Sequence, residues 1–395
     1  MPDDANPLVS VRIACLGGKR FEGKENEGLM NFIANMIDKG AGSMSEVDID
    51  RKIEDMGGRL RGFSGYDSFG LTATFFSRCL NDGLQLLSTI YSDPTFPEDK
   101  MDRERRLILN SIKTEPDRPF LFALKNFNET LFRDHPYGLD KLGTVATVAG
   151  FTRNDLSEMY KRYAVSSNTV ISIVGDFDPD KTLDTIRKLF GKVPGQPLES
   201  PDVPAEKPLD KPREKTIKLP RAKAHIILGF PASAFDSEDR YALEALNNIL
   251  AGQGGRLFVQ LRDKESLAYQ VTSLYMPHMD PGAFAFYIAC DAAKVDKATE
   301  GILREIGRIR ESPVGSEELD RSITNLIGSH EIALQSTSAR AENTALNTLY
   351  DLGYDYEEKY VERISAVKSE AVQKVAKKYL DLDRCVIVKI LPEDK

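Results

Sequence analysis

The sequence predicts an α+β protein made of two homologous domains, each a mostly antiparallel sheet with helices packed on one face. Three observations lead to this fold class. The chain has 395 residues, which is too long for one ordinary hydrophobic core. Residues 194–212, PGQPLESPDVPAEKPLDKP, contain six of the 20 prolines and few apolar residues, as an extended linker does. The segments on either side of this linker resemble each other in order.

Three pairs of segments form the repeat, with one member of each pair on each side of the linker. The first pair is predicted to be a β-branched strand followed by a helix, the second two helices joined by a turn, and the third a helix that leads into a strand. The pairs are 8–18 with 225–233, 80–109 with 295–324, and 152–176 with 368–392. A duplicated α+β unit explains this order. It predicts an N-terminal domain at 1–193 and a C-terminal domain at 213–395.

Composition excludes several classes of function. A net charge of -8 and a pI near 5.3 argue against a nucleic-acid surface. No apolar run reaches the roughly 20 residues that a membrane helix needs. The first residues, MPDDANPLVS, contain no targeting signal, so we expect a soluble protein of the cytoplasm or periplasm and leave the compartment open.

Histidines and cysteines are too scattered to form a local site. No two histidines have the short spacing of a metal-binding pair, and the cysteines have no C-x-x-C spacing, so the cysteines are interpreted as buried apolar residues. These residues are His135, His225, His278 and His330, and Cys15, Cys79, Cys290 and Cys385. No Ser/His/Asp or Cys/His arrangement can be derived from them, so an independent metal-free enzyme has no support.

The stretch 27–40, EGLMNFIANMIDKG, has the spacing of an amphipathic helix with one buried apolar face. Asn31 and Asn35 lie four residues apart on one side of it, with Ala34 between them. This is the spacing at which two metal ligands could lie on one helix, but amides occupy both positions. We expect these amides to be buried and to need hydrogen-bond partners.

These residues resemble the insulinase/pitrilysin peptidases, the inverted H-x-x-E-H zinc enzymes, and most closely their processing-peptidase branch. Residues 28–41 match the family signature G-L-A-H-F-L-E-H-M-L-F-K-G-T without a gap. In that match Asn31 and Asn35 replace the two histidine ligands, and Ala34 replaces the glutamate base. Residues 104–111, ERRLILNS, match E-R-x-V-V-L-x-E, and Ser111 stands at the third ligand position.

Other landmarks extend the resemblance over nearly the whole chain. Residues 57–64, GGRLRGFS, resemble the edge strand G-G-x-L-N-A-x-T, with Arg61-Gly62 in place of Asn-Ala. Residues 135–138, HPYG, and 174–176, VGD, match family turns. The opening strand with the pattern L-x-N-G-x-x-V is missing, so we expect the chain to start one strand late.

The resemblance implies that this chain has no zinc or other cofactor of its own. Zinc requires thiolate, imidazole or carboxylate ligands, and neutral amide and hydroxyl oxygens bind it weakly. Without ligands and base the chain has neither a Lewis acid nor a group to deprotonate water. Zinc is expected only in a catalytic partner.

A second family contribution is retained in the C-terminal half. Residues 254–269, GGRLFVQLRDKESLAY, follow the pattern G-G-R-L-F-x-x-L-R-x-x-x-x-L-A-Y. Arg262 is predicted to end a short helix and Tyr269 to begin a strand over 267–275, and Ser266 stands where glycine is usual. The resemblance implies that Arg262 and Tyr269 reach the zinc site of a facing unit.

Two functions follow from this resemblance. In the first, the chain is the non-catalytic half of a zinc peptidase and supplies Arg262 and Tyr269 in trans. It then forms half of a clamshell that encloses a peptide substrate with a homologous H-x-x-E-H unit. That unit is either a separate chain or the missing N-terminal half of a longer polypeptide, and the chain alone is expected to form a homodimer. In the second, favoured by the altered edge strand, the chain is a catalytically dead scaffold or peptide-binding module.

Overall fold

The computed structural model describes residues 1–393, which form helices and strands in mixed order. The elements up to the proline-rich linker are, in chain order, β1 (Leu8–Leu16), α1 (Leu29–Met36), β2 (Gly40–Ala41), β3 (Met44–Ser45), α2 (Glu46–Asp55), β4 (Arg59–Ser64), β5 (Ser68–Phe76), α3 (Leu80–Ser92), α4 (Glu98–Thr114), α5 (Pro119–Leu131), α6 (Val145–Gly150), α7 (Arg153–Tyr163), β6 (Thr169–Gly175) and α8 (Pro179–Phe190). Those after it are β7 (Arg213–Leu219), β8 (Lys223–Pro231), α9 (Arg240–Leu250), β9 (Gln270–Met276), β10 (Ala283–Asp291), α10 (Val295–Glu311), α11 (Ser316–Ala333), α12 (Thr337–Leu349), α13 (Tyr356–Ser365), α14 (Ser369–Tyr379) and β11 (Val386–Pro392). A π-helix, Phe258–Lys264, lies between α9 and β9.

The chain forms two compact units, and each unit contains three segments. Unit 1 consists of Met1–Thr114, Leu139–Pro204 and Ala333–Glu357, and unit 2 of Glu115–Gly138, Ala205–Ile332 and Glu358–Lys395. The homologous domains predicted at 1–193 and 213–395 stay a prediction. The compact units differ from that division because α5 packs in unit 2 and α12 packs in unit 1.

Sheet 1, in unit 1, has the strand order β4-β5-β1-β6, and all neighbouring strands are antiparallel. Side chains of β1 alternate between its two faces, as the period of a strand requires. Val9, Val11 and Ile13 point to the buried core, where α1, α3 and α7 cover them. Ser10 and Arg12 point to the opposite face.

Sheet 2, in unit 2, has the order β7-β11-β8-β10-β9, and only β7 and β11 pair in parallel. Its core face carries Ile226, Leu228 and Phe230 of β8. Helices α9, α10 and α14 supply the apolar residues packed against this face. His225 and Gly229 belong to the other face.

The two sheets share one strand order. The four strands β4-β5-β1-β6 of sheet 1 correspond in position and chain order to β9-β10-β8-β11 of sheet 2. The extra strand β7 of sheet 2 runs parallel to β11. At the matching edge of sheet 1, Met1–Asp3 begin a parallel pairing with the end of β6, since Pro2 bridges Gly175. The predicted duplication is consistent with this correspondence and stays a prediction.

The α+β fold class is confirmed, with one addition to the expected layering. Helices cover one face of each sheet as predicted, and one further helix lies on the other face. That helix is α12 on sheet 1, where Thr337 bonds Ser10, and α5 on sheet 2, where Phe127 contacts Gly229. Within residues 1–393 no helix is long and apolar enough to cross a membrane.

Candidate functional site

Helix α1 is the part of unit 1 that contains the altered metal motif. The helix covers Leu29–Met36, which is shorter than the predicted stretch 27–40. It begins without a side-chain cap, and Gly28 has a φ of 89°. The carboxyl group of the buried Glu22 replaces the cap, because its oxygens accept hydrogen bonds from the backbone N–H groups of Gly28 and Met30 at 3.0 and 2.7 Å. Burial raises the pKa of Glu22 to about 8.

The residues at the expected ligand positions do not fit a zinc ion. Asn35 is exposed rather than buried, and its Nδ2 donates to the carbonyl oxygen of Asn31 at 2.9 Å. The Nδ2 atom of Asn31 is buried and has no hydrogen-bond partner, so this position presents an unsatisfied donor and not a metal ligand. Ser111 donates its hydroxyl to the carbonyl of Leu107 at 2.9 Å. Neutral amides and a hydroxyl supply no ligand of the kind that zinc requires.

The expectation of two buried amides is therefore wrong for Asn35 and holds in part for Asn31. Helix α1 packs closely on β4, because a Cβ atom at Gly62 would lie 2.0 Å from the carbonyl oxygen of Ala34. Only glycine allows this approach. Among residues 1–393, no three His, Cys, Asp or Glu side chains are grouped so that they could hold a metal ion.

The second candidate region, residues 254–269 of unit 2, begins with a glycine-rich turn and continues as the π-helix Phe258–Lys264. π-Helical turns are uncommon and are found frequently at functional sites. Leu257 and Leu261 are fully buried and anchor the segment in the core of unit 2. Arg262 lies inside this helix rather than at its end, which corrects the predicted position.

A strained residue links the π-helix to the strand that follows. Ser266 has a φ of 52°, in the left-handed region that favours glycine. The family pattern has glycine at this position. A serine adopts the same left-handed backbone conformation only with steric strain. Tyr269 directly precedes β9, which starts at Gln270 and not at 267 as predicted. Its backbone N–H donates to the carbonyl of Ala289.

The side chain of Tyr269 belongs to a three-residue cluster with Lys223 and Asp291. Its hydroxyl donates to the two carboxylate oxygens of Asp291 at 3.1 and 3.2 Å and accepts from Nζ of Lys223 at 2.5 Å. Lys223 also pairs with Asp291 at 2.7 Å. These contacts lower the pKa of Asp291, chiefly through the hydrogen bond from Lys223, and raise the pKa of Lys223. Tyr269 remains 52% exposed, so its phenol is fixed in orientation and still reachable.

Arg262 is exposed, and its guanidinium lies 4.7 Å from the centre of the Phe258 ring. Within residues 1–393 the structure shows no hydrogen bond or ring contact between Arg262 and Tyr269, so the same segment presents the two side chains separately. The sequence reasoning missed Lys223 and Asp291. They are 46 and 22 residues from Tyr269 along the chain and come together only through the pairing of β8 and β10.

The fold and these two regions define a class of protein: a two-domain peptidase architecture of the processing-peptidase type. Comparison with known proteins agrees. The family description "Insulinase (Peptidase family M16)" matches residues 2–145, and "Peptidase M16 inactive domain" matches residues 150–326. The chain belongs to the insulinase family of peptidases.

Relatives of known sequence are similar over nearly the full chain. The "Uncharacterized zinc protease YmxG" of Bacillus subtilis is 27% identical over 96% of this chain and 92% of its own length. The "Probable mitochondrial-processing peptidase subunit beta" of Arabidopsis thaliana is 25% identical over 94% of this chain and 73% of its own.

Solved structures share the fold. A protease from Helicobacter pylori gives a TM-score of 0.93 at 20% identity, covering 98% of this chain and 95% of its own. The peptidase M16 inactive domain from Pseudomonas fluorescens gives 0.93 at 20% identity, covering 100% and 95%.

Proposed function

We propose that this chain is the non-catalytic half of a zinc metallopeptidase and supplies Arg262 and Tyr269 in trans to a homologous H-x-x-E-H unit. In this proposal the partner holds the zinc, and the two halves enclose the peptide. The observation that carries the proposal is a contrast. In helix α1, Asn31 and Asn35 occupy the positions where zinc ligands would be needed. In contrast, Tyr269 and Arg262 are exposed on the segment 254–269, which is anchored in the core of unit 2.

The chemistry available to Tyr269 is hydrogen-bond donation to a carbonyl oxygen that gains negative charge as water attacks. The phenol has one O–H group, which donates its hydrogen bond to Asp291 in this structure. A bound carbonyl oxygen would replace Asp291 as the acceptor, while Lys223 continues to hold the phenol oxygen. Arg262 would position the substrate through its guanidinium, which forms charge-assisted bonds in a fixed planar geometry.

Co-purification with a tagged chain, followed by a zinc measurement, identifies the H-x-x-E-H partner. The rate of peptide cleavage by the assembled complex then tests the roles of Tyr269 and Arg262. Tyr269→Phe removes only the hydroxyl, and we expect kcat to fall on the order of 10²–10³ with unchanged assembly. Tyr354→Phe is the matched control, because Tyr354 is 76% exposed in unit 1. Arg262→Ala should raise KM and lower kcat.

The second candidate function is a scaffold or peptide-binding module without a catalytic contribution. It is favoured by the cluster itself, since Asp291 and Lys223 already satisfy the Tyr269 hydroxyl. Under this function Tyr269→Phe and Arg262→Ala leave turnover at the wild-type rate, and stability shifts stay within about 0.5 kcal/mol. The same two variants therefore decide between the functions.

A further inference from the structure

The outer strand of sheet 1 carries two arginines for which residues 1–393 provide no ion-pair partner. Arg59 and Arg61 lie two residues apart on β4, and both are exposed. Residues two apart on a strand point to the same face, with about 6.6 Å between them. Within residues 1–393 neither guanidinium forms an ion pair or a hydrogen bond, although the chain as a whole is acidic, with a net charge of -8.

The strand register places these arginines on the polar face of sheet 1. Arg61 lies opposite Thr72 of β5, and Thr72 lies opposite Arg12 of β1, so the three form one row across the sheet. Arg59, Thr74 and Ser10 form the neighbouring row.

Further contacts support this placement. Ser10 and Thr74 bond each other at 2.8 Å, and the Arg12 guanidinium lies 3.2 Å from the ring centre of Phe63, a third residue of β4 on this face. Burial lowers the pKa of Arg12 to about 10, and the Arg61 guanidinium adds to this while Glu342 opposes it.

Helix α12 covers only part of this face. It packs on β1 and β6, and its Glu342 pairs with Arg12 at 3.1 Å. The part of the face formed by β4 and β5 is left with the two exposed arginines of β4 and the hydroxyls of Thr72 and Thr74 of β5. Strand β4 is also the outer strand of sheet 1, with β5 as its single neighbour in the sheet. An extended chain can therefore lie along β4 with its side chains near the arginines.

We propose that Arg59 and Arg61 form an acid-selective subsite that binds an extended peptide with carboxylates at alternate positions. An extended peptide presents every second side chain on one face, at the same spacing as the two arginines. Arginine binds carboxylates through two parallel hydrogen bonds, and the nearby hydroxyls can accept or donate further bonds. This subsite deepens the proposed function and rests on it for the claim that such peptides are substrates. Binding itself is independent of Arg262 and Tyr269.

Fluorescence anisotropy on the full chain tests the subsite with a labelled nonapeptide of alternating glutamate and valine. Peptides with lysine or glutamine in place of glutamate are the comparisons. We expect the glutamate peptide to bind most tightly and to lose affinity at about 0.3 M salt, where charges are strongly screened. Arg59→Gln with Arg61→Gln should weaken its binding about tenfold, because two partly exposed pairs are lost.

Two further variants make the test specific. Arg51→Gln with Arg153→Gln removes the same charge from exposed helical positions of unit 1, and should leave affinity within about twofold. Arg59→Glu with Arg61→Glu should make the lysine peptide the tighter ligand. Three outcomes would overturn the subsite: the wild-type chain binds none of the peptides, it binds all three equally, or Arg59→Gln/Arg61→Gln leaves the affinity unchanged. Wild-type cleavage by a Tyr269→Phe complex would overturn the in-trans role and leave the subsite intact.

Discussion

Each of the two sheets has one helix packed on its second face, and different chemistry holds the two helices. On sheet 2, α5 buries Ala123, Phe127 and Leu131 completely or nearly so. The Phe127 ring lies against Gly229, where an added Cβ would come within 2.6 Å of it. This helix is held by close apolar packing.

On sheet 1, α12 is held mainly by polar contacts. Thr337 bonds Ser10 at 2.9 Å, Glu342 pairs with Arg12, and Tyr350, just after the helix, donates to Ser68 at 2.8 Å. Its completely or nearly buried residues are two alanines, Ala341 and Ala345. Apolar burial gives most of the net stability in folded proteins, whereas exchanging water for a polar partner gives little. We therefore expect α12 to detach from its sheet at a lower free-energy cost than α5.

Phe127→Ala should produce the largest effect. It leaves a cavity between α5 and β8 and should cost about 3–5 kcal/mol of unfolding free energy, measured by urea denaturation. Leu121→Ala is the control on the same helix, because Leu121 is 47% exposed and should cost about 0.5 kcal/mol or less. A Phe127→Ala cost near that of the control would remove the contrast between the two helices.

A pH series should give the next largest effect, and it arises in unit 1. The carboxyl groups with raised pKa values, Glu22 and Asp38, lie in unit 1, whereas lowered pKa values occur in both units, at Asp48 in unit 1 and at Asp291 in unit 2. The pKa of Glu22 is about 8 in the folded chain and near 4.5 unfolded, so the unfolded chain holds fewer protons between these values. Stability then falls as pH rises through this window.

The expected loss due to Glu22 between pH 5 and pH 8 is about 3 kcal/mol. Urea denaturation across this range measures it. Glu22→Gln cannot ionise, and its stability should change with pH by correspondingly less than that of the wild type. Parallel curves of unfolding free energy against pH for the two proteins would show that Glu22 does not cause the pH dependence.

Local sequence patterns predicted the sheets, the altered helix α1 and the Arg262/Tyr269 segment, because each of these is encoded in periodicity or in a contiguous motif. They could not predict where α5 and α12 pack. The apolar spacing of α5 indicates a helix with a buried face, but it does not specify the surface that buries it. The partners of Tyr269 were missed for the same reason, since Lys223 and Asp291 approach it through strand pairing.

A double-mutant cycle between Glu342 and Arg12 should give a middle-sized effect. Glu342→Ala leaves the buried Arg12 guanidinium without its carboxylate, and we expect a loss of about 1–2 kcal/mol, reduced from the cost at fully buried pairs because Glu342 is 43% exposed. Arg12→Met keeps the apolar contact with Phe63 and removes the charge. In the Glu342→Ala background it should restore stability, measured by urea denaturation. Additive losses would mean that the two side chains do not interact.

The smallest expected effect lies in the hydroxyl contact between Ser10 and Thr337. Thr337→Val keeps the shape of the side chain, and Ser10 retains Thr74 as a partner at 2.8 Å, so no buried group is left unpaired. We expect a cost of about 0.5 kcal/mol and a coupling with Ser10→Ala of similar size. Hydrogen exchange should then show α12 amides opening at lower free energy than α5 amides, with Thr337→Val lowering the α12 values alone. A coupling above about 2 kcal/mol, or equal opening energies for the two helices, would show that the polar contacts fix α12 as firmly as Phe127 fixes α5.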